Sequence, residues 1–157
     1  MHLLFVCTHN RCRSILAEAL ARQVLGRDIG VQSAGSSPAG AVHPLTLRYL
    51  TERGIDSRGL SSKSWDDVDG PAPDIVVTVC DRAAGEACPL WLGDAEKVHW
   101  GLSDPSAVAG PESAVRAAFM HTIDELVRRL RKLQPLVERG STPAEFAQAM
   151  RRMAAES

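Results

Sequence analysis

Hydrophobic residues fall into two patterns along this chain: short unbroken runs, and stripes at helical spacing. The run Leu3-Leu4-Phe5-Val6 has no polar alternation, which predicts a strand buried on both faces. After Ser14 the period changes. Ile15, Leu16, Ala19, Leu20, Val24 and Leu25 define one face of a helix, with Glu18 and Arg22 on the other. Ile29–Ser33 reads as a second short strand and residues 33–40, small and rich in Gly, Ser and Pro, as a loop. His43-Pro44 opens a second helix that carries Leu45, Leu47, Tyr49 and Leu50 and ends at Gly54. The β-branched stretch Asp74–Cys80 is the clearest later strand, and Lys97–Trp100 a fourth. A long helix follows from Glu112 to Gln134, with Val115, Phe119, Ile123, Leu126, Val127 and Leu130 on one stripe. Gly140-Ser141-Thr142-Pro143 caps a last short amphipathic helix through Arg152. Strands alternating with helices predict an α/β fold: a single-domain open parallel sheet of about four strands, with helices on both faces. Residues 1–134 form the expected core of a domain spanning 1–157, and 135–157 a C-terminal helical extension.

Composition narrows the class without changing that picture. At 157 residues and 45% hydrophobic, the chain can bury one full core. A formal net charge of −1 gives no reason to expect a nucleic acid or an anionic membrane as partner. No basic N-terminal region precedes a long apolar segment, and no apolar run is long enough to span a bilayer, so the simplest expectation is a cytoplasmic protein. In that compartment the four cysteines point to catalysis or redox chemistry rather than to a disulfide framework. Nothing in the sequence requires more than a monomer.

The chemistry concentrates in Cys7-Thr8-His9-Asn10-Arg11-Cys12-Arg13-Ser14, between the first strand and the first helix. A helix N-terminus offers unpaired backbone N–H groups and the positive end of the macrodipole, which suits a tetrahedral oxyanion. The same field favours the thiolate of Cys7, the reactive form of the side chain. Arg13 brings a planar, permanently charged fork matched to two oxygens of the anion. The Ser14 hydroxyl can hydrogen-bond the thiolate as nucleophile and as leaving group. Asn10 tolerates the positive φ that a loop wrapped around an anion often needs. Both glycines and the lysine of a nucleotide-binding Gly-x4-Gly-Lys-Ser/Thr loop are missing. The structural alternative is a buried cysteine beside a surface arginine.

This Cys-x5-Arg-Ser loop resembles that of the low-molecular-weight protein tyrosine phosphatase family, which includes a branch of arsenate reductases. A second constellation, Cys80 through Pro89, sharpens the resemblance. Cys80 ends a core strand at the same sheet edge as Cys7, and Cys88 follows on a loop that Gly85 makes flexible. Two cysteines there suggest thiol–disulfide relay chemistry; a zinc site, or two incidental cysteines, are the alternatives. The pattern, with Ser33-Ala34-Gly35, Ser62-Lys63-Ser64-Trp65, His99-Trp100-Gly101 and Asp104-Pro105, is similar to the thioredoxin-coupled arsenate reductases of the phosphatase-like type as far as Leu133.

The resemblance implies a low-molecular-weight phosphatase-like fold and the following roles. Arsenate, with phosphate and sulfate as competing oxyanions, binds the loop of Thr8, His9, Asn10, Arg11, Cys12 and Arg13. Cys7 attacks arsenic, and Asp104, before Pro105, protonates the departing oxygen. Cys80 then attacks Cys7 and releases arsenite, and Cys88 moves the disulfide to Cys80–Cys88, which thioredoxin opens. Glutaredoxin or glutathione is the alternative reductant. No cofactor and no metal are expected. The alternative function is a low-molecular-weight phosphatase using Cys7, Arg13 and Asp104, with a phosphocysteine intermediate. Ser106, Ala107 and Val108 stand where tyrosine phosphatases usually carry aromatic residues, which favours a small inorganic oxyanion.

Other residues have more modest expectations. Cys12 is a packing residue or a back-up disulfide partner for Cys7. His9 is a solvated loop residue unless it tunes the thiolate. Trp65 and Trp100 are core anchors. Arg128, Arg129, Arg131 and Lys132 form a solvated helix face. Some relatives hold a cation beneath the loop with an asparagine, a glutamate, a serine and an aspartate. Asn10, Glu18 and Ser33 match, but Lys63 replaces the aspartate, so its ammonium is expected to stand in for the cation.

Overall fold

The structure, a computed structural model, describes residues 1–80 and 93–156. Cys88 lies outside them. Within them the chain runs β1 (His2–Val6), α1 (Arg13–Leu25), β2 (Gly30–Ala34), α2 (Pro44–Glu52), β3 (Ile75–Thr78), β4 (Glu96–His99), α3 (Glu112–Glu138) and α4 (Pro143–Glu156), with short 3-10 turns at Trp65–Asp67 and Pro105–Ala107. All four strands are parallel, in the order β2-β1-β3-β4. The register sets Leu3 beside Val31 and Ile75, and Val6 beside Ala34 and Thr78. Leu3 through Val6 are all buried, as an unbroken apolar run in a covered parallel sheet requires. The expected α/β parallel sheet of four strands is the observed one.

Each element departs from its expected limits for a local reason. The third strand stops pairing at Thr78, not Cys80. Val79 still donates to the Val6 carbonyl and accepts from Leu102 N–H, which turns the chain out of the ladder and leaves Cys80 at its carboxyl end. In α2, His43 Nδ1 accepts the Leu45 N–H and Pro44 fills the first turn; Thr46, Tyr49 and Leu50 face inward, whereas Leu47 is exposed. The third helix runs past Gln134 through Pro135 to Glu138. It ends in a Schellman motif: Gly140 takes φ +66°, its N–H reaches the Val137 carbonyl, and Ser141 N–H reaches that of Leu136.

The C-terminal helix belongs to the same core. Thr142 and Glu145 cap it reciprocally, Thr142 Oγ1 accepting the Glu145 N–H while Glu145 Oε1 accepts from Thr142 N–H and hydroxyl. Phe146, Ala147, Met150 and Met153 form its buried stripe against β4 and α3. Trp100, fully buried, donates Nε1–H to the Met150 carbonyl at 2.8 Å and lies 6.4 Å, centroid to centroid, from Phe5. The Arg129 guanidinium sits 5.3 Å above the indole, and its Nε donates to Glu125 at 3.0 Å. Arg129 is therefore a buried packing cation, not part of a solvated face: the indole and Glu125 together compensate its burial.

Trp100→Phe removes the donor to the Met150 carbonyl, part of the ring surface under Arg129 and some buried volume. The expected cost is about 2 kcal/mol, a fall in melting temperature of about 6 °C for a chain of this size. Thermal unfolding followed by circular dichroism checks it, with Arg128→Ala, on the surface, expected to move the midpoint by less than about 1 °C.

Candidate active site

The turn from β1 to α1 passes through Cys7–Cys12, with Cys12 as the N-cap residue of the helix. Its carbonyls are held from outside. Thr8 O accepts from Ser37 N–H, His9 O from Ala39 N–H and Ser62 Oγ, and Arg11 O from His43 N–H and Thr46 Oγ1. Across a trans peptide the carbonyl and the following N–H point in opposite directions. The N–H groups of His9, Asn10 and Cys12 therefore face away from the 37–46 segment, as an oxyanion cradle needs. Gly35 lets β2 run close beneath the loop: a Cβ there would lie 2.5 Å from Thr8 O and 2.7 Å from Cys7 O.

Beneath the loop a hydrogen-bond chain has a fixed polarity. Asn10, with φ +45°, accepts the Lys63 backbone N–H at Oδ1 (2.9 Å), which orients its amide. Its Nδ2 then donates to Ser14 Oγ (2.8 Å) and to Ser33 Oγ (3.0 Å). The Ser33 hydroxyl in turn donates to Glu18 Oε1. Ser14 Oγ, which accepts from Asn10, lies 2.8 Å from Cys7 Sγ. Toward the thiolate form of Cys7, which can only accept, the Ser14 hydroxyl is the donor.

Glu18 corrects the reading of α1 as amphipathic. It is fully buried, and Ile15 through Ala21 are buried around the helix. Arg22 pairs with Glu18 Oε2 one turn on, and Lys63 Nζ lies 3.9 Å from Oε1. With Ser33 and two cationic side chains on the carboxylate, and the Asn10 oxygen engaged by a backbone N–H, this donor set does not fit a further cation.

Arg13 opens α1 at the rim. Its Nη1 donates to the Leu102 carbonyl (3.0 Å) and its Nη2 is 3.7 Å from Asp104 Oδ2. Cys7, Thr8, His9, Arg11, Cys12, Arg13 and Asp104 line one small pocket. Asn10 lies below it rather than in its wall. His9 Nδ1–H donates to the Ser37 carbonyl, so its ring is turned toward the supporting segment. Cys12 is buried and bonded to Thr46; burial pushes its thiol up to about 12, which keeps it protonated and unreactive at neutral pH. Cys80, also buried, has its sulfur 3.7 Å from Thr8 Oγ1, one residue from Cys7.

The structure therefore brings together Cys7, Arg13, Ser14 and Asp104 and sets Cys80 against the adjoining Thr8, and Cys88 lies outside the described residues. Three contributors escaped the sequence reading. The Leu102 carbonyl carries no side-chain signal, and Thr46 acts on Arg11 from a separate helix. Gly35 stood in a recognised segment, but its reason, the close approach of two backbones, is visible only in three dimensions.

Comparison with known proteins agrees with this geometry. The model of the low molecular weight phosphotyrosine protein phosphatase family matches residues 2–142. The arsenate reductase of Bacillus subtilis (strain 168) is 36% identical over 128 residues, 82% of this chain and 91% of that protein. The crystal structure of an arsenate reductase from Archaeoglobus fulgidus superposes with a TM-score of 0.68 at 28% identity, covering 85% of this chain and 98% of that one. The thioredoxin-dependent arsenate reductase of Corynebacterium glutamicum gives 0.64 at 28% identity, over 89% of this chain and 63% of that chain. With its nucleophile loop, its sheet order and this match over nearly the whole chain, the protein belongs to the low molecular weight phosphotyrosine protein phosphatase family.

Proposed function

We propose that this protein is an arsenate reductase working through three thiols. Arsenate enters the Cys7–Arg13 loop, held by backbone N–H groups and the Arg13 guanidinium. The Cys7 thiolate forms a sulfur–arsenic bond while Asp104 gives a proton to the departing hydroxyl, which leaves as water. Cys80 attacks the Cys7 sulfur. The new S–S bond forms as the S–As pair withdraws onto arsenic, which leaves as arsenite, reduced from As(V) to As(III). Cys88 then attacks Cys80, freeing Cys7 and closing a Cys80–Cys88 disulfide. A thioredoxin-type dithiol reduces that bond and is itself oxidised.

The observation that carries this reading is Cys80, whose thiol sits at the carboxyl end of β3 beside Thr8. Hydrolysis through a phosphocysteine needs a nucleophile, an arginine and an acid, and has no use for a second thiol at this edge. The relatives named arsenate reductase support the same choice. The phosphatase alternative stands on the shared first step: an arsenate-shaped loop also accepts phosphate, so slow phosphoester hydrolysis is an expected side activity. Among the described residues no helix is long and apolar enough to cross a membrane, in keeping with the cytoplasmic location we propose.

Arsenate-dependent NADPH consumption with thioredoxin and thioredoxin reductase is the direct test. Wild type turns over continuously; Cys7→Ser is inert, Cys80→Ser and Cys88→Ser stall within one cycle, and Cys12→Ala keeps most of the rate. Efficient p-nitrophenyl phosphate cleavage by a wild type that cannot reduce arsenate, undiminished in Cys80→Ser, would establish the phosphatase instead. Turnover with glutathione and glutaredoxin alone would replace the Cys88 step.

Lys63 and Arg22 beside Glu18 lead to a separate expectation. Replacing sodium by potassium at constant ionic strength should leave both the rate and the melting temperature unchanged. A rise in either that is specific to potassium would overturn the role given to the Lys63 ammonium.

A further inference from the structure

Asp104 and Ser106 form a second small network at the pocket rim, apart from the one under the loop. Asp104 caps the 3-10 turn Pro105–Ala107, and its two carboxylate oxygens are treated differently. Oδ1 accepts the Ser106 backbone N–H at 3.0 Å and the Ser106 hydroxyl at 2.6 Å. Oδ2 faces Arg13, with Nη2 at 3.7 Å. Asp104 is one of the residues lining the oxyanion pocket, and both it and Arg13 are about three-quarters covered.

We propose that Ser106 is a positioning residue that selects which oxygen of Asp104 carries the transferable proton. This rests on the reading of Asp104 as the acid. A proton on Oδ1 would disturb two hydrogen bonds of 3.0 and 2.6 Å, whereas Oδ2 has only the longer 3.7 Å contact with Arg13 to lose, so protonation falls on Oδ2, the oxygen on the Arg13 side of the pocket. The backbone N–H is supplied by any residue at position 106 other than proline. The hydroxyl is not, and its 2.6 Å bond holds Oδ1 in both states, charge-assisted while Asp104 is ionised and an ordinary bond to the carbonyl oxygen once Oδ2 is protonated. Without it, the carboxyl can rotate about its Cβ–Cγ bond and offer either oxygen, so a fraction of encounters has the proton turned away from the leaving group. The proline between the two fixes one backbone angle of the turn, which keeps Ser106 in place for the contact.

Position 106 thereby gains a chemical meaning beyond the absence of an aromatic ring. Serine is short enough to fold back on the carboxylate that begins its own turn, and it carries the donor that does so. An aromatic side chain there could close over a bound ring, but a phenylalanine would leave Oδ1 with the backbone donor alone.

The test is Ser106→Ala with Ser106→Thr as the conservative variant, assayed for arsenate reduction and for oxyanion binding. Binding is read as the protection of Cys7 from iodoacetamide by sulfate. Ser106→Ala should lower kcat/KM for arsenate by about tenfold, the effect of one hydrogen bond to a charged group, while sulfate protects Cys7 at the same concentration as in wild type. Ser106→Thr, retaining the hydroxyl, should restore most of the rate. In an Asp104→Asn background, Ser106→Ala should cost nothing further, because the two act as one unit. Equal rates for Ser106→Ala and wild type would overturn the proposal, as would a matching loss of sulfate protection, which would mark a structural role for the turn. Undiminished turnover by Asp104→Asn would instead overturn the acid role itself, and this inference with it.

Discussion

A loop that grips an anion through its own N–H groups must have every one of its carbonyls satisfied somewhere else. That constraint organises this molecule. The carbonyls of Thr8, His9 and Arg11 cannot turn inward without presenting negative ends to the anion, and cannot be buried unpaired without a cost of about 1–3 kcal/mol each. The chain meets both conditions by wrapping residues 37–46 and Ser62 around the outside of the loop, donors inward. The long small-residue segment after β2 and the placement of α2 follow from it. So does the glycine at position 35, because the wrap begins where β2 passes under Thr8 with no room for a side chain.

The same logic extends downward through charge. Glu18 is buried, and a buried carboxylate is tolerated only with partners; here Arg22, Lys63 and Ser33 provide them. Because an ionised carboxylate can only accept, Ser33 must donate to it. Asn10, oriented by the Lys63 backbone, can then only donate to both serines. The Ser14 hydroxyl is then free to donate to Cys7 when the latter is a thiolate. A protonated or amide side chain at position 18 could reverse the Ser33 bond, whereas Asn10, held by the Lys63 backbone N–H, would still donate to Ser14.

Much of this was legible in the sequence, and the limits are physical. The unbroken runs at Leu3–Val6 and Ile75–Val77 have no reading except covered strands, and a Cys-x5-Arg-Ser turn between strand and helix has few chemical uses. What the pattern concealed was burial of charge. Glu18 and Arg129 read as solvent-facing because charged residues usually are, yet each is buried: beside a partner one helical turn away, Glu18 also meets Ser33 and Lys63, and Arg129 a ring face. Leu47 erred in the opposite direction, an apolar residue in a helical stripe that the fold leaves exposed. The Leu102 carbonyl, which steadies Arg13, was beyond any reading of side chains.

Arsenate and phosphate differ too little in shape and charge for the loop to choose between them, so selectivity for reduction has to arise after the first bond forms. A thiol–phosphate intermediate has one productive fate, attack by water at phosphorus, because phosphorus does not accept the sulfur–phosphorus electron pair. A thiol–arsenate intermediate has a second fate, since As(V) accepts that pair readily if another thiolate attacks sulfur. In the proposed function, Cys80, whose sulfur lies 3.7 Å from Thr8 Oγ1, is that second thiol. Specificity in this protein is then a matter of which atom of the intermediate is attacked. On the proposed route, the buried cysteine at the end of β3 is where the redox branch departs from hydrolysis, and Cys88 with an external dithiol completes it.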